Sequence, residues 1–539
     1  MKYFFKTGPV LLVFFCVTAL VGFSACAPKK SRAVSSDVTA EITLMMWSGD
    51  SKYWTDIGSR DLSPDDISSQ NVAQTYATAK AFKKIYPNIK INVFAKTGGT
   101  ADDMPWEQAR ENFRTEYGIY PDIYATTDLI GDIQRGLIAD ISIFRDDPMY
   151  KSFNPKVMAL MNIEGRQFGL PQYLLPWGVY INKSLAEANN IDVPDPNWTI
   201  AEFTRFISHS RPNEFYGIMG DYDIDQDLIN TGTKDFTYML FNHKGSGPFV
   251  NINSDATRSV LRYLSQWASH AVLPNFNQGK VSSEFMETNW WWSYKFFLEG
   301  KLLSCPGDPW MMGDAAHPNP EHWGSVKAAD WDIYPRPSTD YMDNTVGIVL
   351  DPFVIRNYAM DDGDPRLSAE EEEKLRIAWE FAKFWCGDIR AWEARAAQTF
   401  RDGNAYKSAP TDSFPLVTGE EFNRQMEIWY TTETHQRFKD KSKMPGFHYI
   451  LDLWEKGQFW DVSDKAYPWY FDFEGSRRAI DYEWENAHLA EVSGAYWYEP
   501  NWLDQVFARL PDWNAAMNQR WENETRKLMN ALNRYYPEK

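Results

Sequence analysis

Two periods of apolar positions alternate through the first 140 residues. Glu41 to Trp47 (EITLMMW) is a short apolar run of the kind a buried strand needs. A polar stretch follows, from Ser48 to about Asn71. Tyr76, Ala79, Phe82 and Ile85 then recur at helical spacing, and Pro87 ends the helix they predict. Ile89, Ile91 and Val93 alternate with polar residues, which predicts a strand. Pro121 to Ala125 (PDIYA) reads as another strand and closes on Thr126-Thr127-Asp128. A helix from Ile130 to Arg135 leads into Gly136-Leu137-Ile138-Ala139-Asp140. This β–α–β rhythm is the sign of a parallel sheet, whose ligands bind beyond the carboxyl ends of the strands. Trp47, Ser48 and Asp128 fall at such ends. Further on, Ser368 with Glu371 makes a capping-box pattern. Leu375, Ala378, Trp379, Ala382 and Trp385 share a helix face, and Gly387 is a fitting stop. Trp513 to Asn533 predicts a last, long helix.

The chain has 539 residues, more than one ordinary core holds, so two or more domains are expected. Its net charge of −19 argues against nucleic acid, whose phosphates demand basic patches. The 24 tryptophans, beside 28 tyrosines and 33 phenylalanines, are far more than usual. Aromatic rings build cores, and that is the plain reading of any single tryptophan. Taken together, the excess also suits a sugar binder, because the C–H face of a pyranose stacks on indole.

The N-terminus reads as an export signal. Lys2 and Lys6 precede an apolar run from Val10 to Ala25, too short for a membrane span. The run closes in Phe23-Ser24-Ala25-Cys26, which resembles a bacterial lipobox with Phe23 in place of the usual leucine. Cys26 is the expected lipidation site; a plain secretory signal is the rival. Residues 27–40 are small, polar and basic, as a tether is. Cys305 and Cys386 remain for the folded part, and two buried free thiols are expected over a disulfide pair.

Seven segments in order carry a likeness to the bacterial extracellular solute-binding proteins of the sugar class, the maltose-binding-protein-like receptors of ABC importers. They are ITLMMW, AFKKIYPNIKINV, YPDIYATTD with GLIADIS, GRQFGLPQYLLPWGVYINKSLAEANNIDVPDPNWTIAEF, FFLEGKLLSCPGDPWMMG, WDIYPRPS and AWEFAKFW. The resemblance spans roughly residues 41–420. The insertion after Trp47 and the long aromatic tail beyond about residue 430 depart from it. It implies an α/β, two-lobe periplasmic-binding-protein fold (type II, Venus-flytrap), here with an extended aromatic-rich C-terminal helical region. Residues 41–175 and 333–405 then form one lobe, and 176–332 and 406–539 the other. Crossings are expected near 172–177, 331–336 and 399–410, with ligand in the cleft between lobes and closure by hinge bending.

What the resemblance implies for function is an exported, lipid-anchored receptor. It captures a sugar or oligosaccharide for ABC permease subunits, as a monomer, without cofactor, metal or catalysis. Trp310 in PGDPW is similar to the family's stacking tryptophan. Trp47 would wall the cleft. Asp128 would accept bonds from sugar hydroxyls, with a helix N-cap as its rival role. Tyr173 and Trp177 flank the first crossing; Phe236 and Tyr238 resemble an aromatic plate of the second lobe; Phe353 lies by a hinge, where packing outweighs contact. Asp221, Asp223, Asp225 and Asp227 alternate, yet Gln226 and Gly232 stand where a calcium loop needs Gly and Glu. No nucleophile elbow, zinc-protease motif or Walker A motif occurs. A surface glycan-active enzyme stays open as an alternative, since scattered carboxylates permit a glycosidase pair. A receptor for a peptide or polyamine is the other.

Overall fold

The computed structural model describes residues 33–47, 53–67, 69–96, 106–220, 253–287, 293–307, 330–361, 363–403, 405–409, 411, 413–432, 435–461 and 502–537. The opening rhythm holds. Strand β1 (Ala40–Trp47) is apolar and buried along its middle. Helix α1 (Gln70–Lys83) starts on a Ser69 cap and ends before Pro87. β2 (Tyr53–Trp54) edges β3 (Ile89–Lys96), and β4 (Ile123–Ala125) follows helix α2 (Trp106–Tyr117). β1 runs parallel to β3 on one side and to β4 on the other, so all three present their carboxyl ends along one edge. α2 covers one face of this sheet, through Phe113 on Phe94 at 5.6 Å and Arg110 over the Tyr124 ring at 5.2 Å. α1 covers the other, with Phe82 against Phe381 and Phe384 of helix α6 (Ala369–Gly387) at 5.1 and 5.5 Å. The capping box is formed: the Glu371 amide donates to Ser368 Oγ, and the Ser368 amide to Glu371 Oε2.

Two long strands organise the rest. β5 (Leu170–Ile181) changes partners along its length. Its first part pairs antiparallel with β8 (Val346–Ile355), from Leu170 opposite Phe353 to Trp177 opposite Gly347. From Gly178 on it pairs with β6 (Ser304–Gly307) and β7 (Asp332–Tyr334) instead. β8 in turn is antiparallel to β4. Among the described residues the sheet runs β2-β3-β1-β4-β8-β5-β6, with β7 on β5 and β9 (Phe459–Asp461) on β8. The chain thus passes between two bodies of packing along β5 and again between β7 and β8. Gly178 sits at the switch of partners. A Cβ there would lie 2.6 Å from the Tyr334 carbonyl oxygen, so only glycine lets the strands approach.

Prolines mark the same region. Asp351 opposes Tyr173, but Pro352 opposes Pro171, which leaves Gln172 as an extra residue. This is a β-bulge, the accommodation a proline inside a sheet requires. On the far body, Trp198 is buried between Tyr334, at 5.1 Å, and Phe203 of helix α4 (Ile200–Ile207), at 5.3 Å. Its indole donates to the Pro335 carbonyl. Helix α5 (Asp255–Trp267) joins α4 through Trp267, which donates to Thr204. Cys305 and Cys386 are buried free thiols, as expected.

The C-terminal part differs in detail from what the sequence predicts. Residues 399–408 form a hairpin whose Tyr406 donates to Asp65, beside the first body. Helix α7 (Glu420–Trp429) follows, and the chain meets β7 again at helix α8 (Pro445–Lys456), whose Gly446 and Phe447 amides donate to the Asp332 carboxylate. The last helix, α9, spans Trp502–Tyr535, eleven residues earlier than its predicted start at Trp513, because it continues through Pro511. α9 packs with its end on helix α3 (Leu129–Gln134) and its start on α5.

Candidate functional site

Several polar and aromatic groups converge at the carboxyl ends of β1 and β4, above the bulged start of β5. Trp47 closes β1 with 39% of its surface exposed. The Thr126 amide donates to the Pro352 carbonyl, which ties the end of β4 to the bulge. Gln172, the extra residue, turns in under Met46, its Nε2 3.6 Å from the sulfur. Tyr173 donates to Gln74 Oε1 of α1 at 2.7 Å. Trp177 is half-buried one strand-turn further on, opposite Gly347.

Asp128 takes the rival role. It is the N-cap of α3, with Oδ1 accepting from the Gly131 amide at 2.9 Å. Its carboxylate packs so closely on Gly131 that a Cβ there would overlap it. Arg135 stands 3.4 Å from the other oxygen. Burial first, and then the neighbouring Asp132, push the Asp128 carboxyl up to about 6. Beneath it lies a charge network that sequence reasoning does not single out. Arg110 and Asp132 pair at 2.7 Å, both almost fully buried, and Arg135 adds a second cation to Asp132 at 2.7 Å. Thr127 donates to Glu107 at the start of α2. The available signal is Arg110 on the apolar face of α2, between Ala109 and Phe113, a position where an arginine needs a buried partner.

The remaining candidates divide. Phe353 is fully buried and packs on Trp385 at 6.1 Å, so it is a core residue. Ser48, Phe236, Tyr238, Trp310 and Cys26 lie outside the described residues, as do Asp221 to Asp227. Trp47 thus lies at the carboxyl end of β1, Asp128 just beyond β4, and Tyr173 and Trp177 along β5. Among the described residues no group of three His, Cys, Asp or Glu side chains is placed to hold a metal.

The sheet order, with β8 returning antiparallel between β4 and β5, and the strand that serves two bodies define the two-lobe α/β fold of type II solute-binding proteins. Solved structures agree. An ABC substrate-binding protein from Listeria monocytogenes in complex with cycloalternan matches at 13% identity over 92% of this chain and 100% of that one, with a TM-score of 0.53. A family 1 extracellular solute-binding protein from Alicyclobacillus acidocaldarius matches at 13% identity over 89% and 99%, TM-score 0.53. The cyclic alpha-maltosyl-1,6-maltose binding protein from Arthrobacter globiformis matches at 15% over 90% and 100%, TM-score 0.53. No family model and no curated protein matches the chain.

Proposed function

We propose that this chain is the solute-binding component of an ABC importer, exported and held outside the cytoplasmic membrane by lipid on Cys26, and that it captures a sugar or oligosaccharide. The observation that carries the reading is β5, one strand that leaves one body of packing and enters the other at Trp177–Gly178, in a sheet whose carboxyl edge bears Trp47 and Asp128. Hinged halves around such an edge bind by closing on a ligand. Two of the similar proteins bind oligosaccharides, cycloalternan and cyclic maltosyl-maltose, which supports the ligand class. The first lobe comprises residues 41–175 and 333–405 and the second residues 176–332 and 406–539. Trp310, Phe236 and Tyr238 complete the site from the second lobe, and no bond is broken. Permease subunits are the partners of the loaded monomer.

A panel of oligosaccharides, including cycloalternan and linear maltose and mannose oligomers, read by intrinsic tryptophan fluorescence, tests the proposal. A saturable change with at least one glycan, and no new reducing ends on long incubation, is expected. Release of reducing ends would establish the hydrolase alternative. A response to peptides or polyamines alone would move the ligand class.

A further inference from the structure

Helix α9 touches both bodies at places far apart along its length. Phe507 and Tyr536 are separated by about 43 Å of helix. The far end is sewn to the first body. Leu528, Leu532 and Tyr536 are buried there. Tyr536 Oη donates to the Ile138 carbonyl at 2.8 Å, Arg166 donates to the Tyr536 carbonyl at 2.9 Å, and Phe168 meets the Tyr536 ring edge-on at 5.0 Å. The near end rests on α5 of the second body. Phe507 lies under the Arg258 and Arg262 guanidinium groups at 5.9 and 5.3 Å, and the Asn253 amide reaches Asn514 at 3.5 Å. Val506 and Leu510 of the same end are buried as well. Pro511 stands between Phe507 and Asn514. Proline lacks an N–H, so the Phe507 carbonyl loses its helical donor, and the proline ring crowds that carbonyl. The helix therefore lacks one backbone hydrogen bond within its contact on α5.

We infer that α9 is a strap across the two lobes, joined to the first at Tyr536 and to the second at Phe507, which holds the unliganded lobes in one arrangement. This rests on the hinge reading above. A contact made in one arrangement only biases a two-state hinge by its own free energy, and the bias disappears when the contact is removed.

The test uses the full chain with Cys16 and Cys26 replaced by serine. Spin labels at Asp146→Cys and Glu214→Cys, exposed on opposite bodies, report the distance between lobes. A Lys90→Cys and Asp146→Cys pair is the control within the first body. Without ligand, Phe507→Ala is expected to broaden and shift the interlobe distance while the control pair stays as in the parent. An Arg258→Gln, Arg262→Gln double variant, which leaves the apolar packing in place, is expected to do the same in smaller measure. Interlobe distributions identical to the parent in both variants, and in a deletion of residues 502–539, would overturn the strap. The hinge has its own readout: saturating glycan from the panel must shift the parent's interlobe pair, and failure there rejects the hinge whatever the Phe507 variant does.

Discussion

One Asp128 oxygen accepts from the Gly131 amide, and the other faces Arg135 across 3.4 Å. With its carboxyl raised from an ordinary 3.8 to about 6, the folded chain holds this proton more tightly than the unfolded chain. The stability it contributes is full below pH 4 and is lost as pH rises through 6, by about 2–3 kcal/mol. Asparagine caps a helix as well as aspartate does. Asp128→Asn should therefore stabilise the chain at pH 8 by up to about 2 kcal/mol and have little effect at pH 4, by urea unfolding. An equal difference at both values would contradict the assignment. Ligand binding should run the other way. The charged carboxylate accepts hydroxyl bonds better, so affinity should fall as pH drops through about 6. Among the aromatics, Trp310→Ala should weaken binding by about 2 kcal/mol or more, as loss of a buried anchor does. Unchanged affinity by calorimetry would remove Trp310 from the site.

At the scale of elements, much of the first body is legible because each element carries its own period. β1, α1, β3, β4 and α3 stand where the apolar spacing puts them, within a few residues. What depends on pairing between distant segments is not legible. The bulge at Gln172 arises only because Pro171 meets Pro352, 181 positions away. Arg110 finds Asp132 only once α2 and α3 lie together. Pro511 reads as a boundary, since proline breaks isolated helices. Here α9 runs through it, with Val506 and Leu510 buried just before the proline and Leu528 and Leu532 after it. The partner switch at Gly178 makes a direct prediction. Gly178→Ala forces a methyl group against the Tyr334 carbonyl and the Ile333 side chain. It should destabilise the chain by about 1–3 kcal/mol, as overpacking does. An unchanged urea midpoint would mean that the two strands do not approach so closely.

Among the described residues, β5 and the segment from β7 to β8 pass between the two bodies. Hinges of this kind absorb their motion in a few strand-end residues while each packed half moves as a unit. The positions around Trp177, Gly178 and Arg336 are where that change would concentrate, since sheet partners change on either side of them. The central claim is that two such halves close on a saccharide. Small-angle X-ray scattering on the chain, alone and saturated with a glycan that quenches or enhances its tryptophan fluorescence, tests it most directly. A smaller radius of gyration in the presence of bound glycan is the predicted result. Binding with an unaltered scattering curve, or no glycan bound at all, would contradict it.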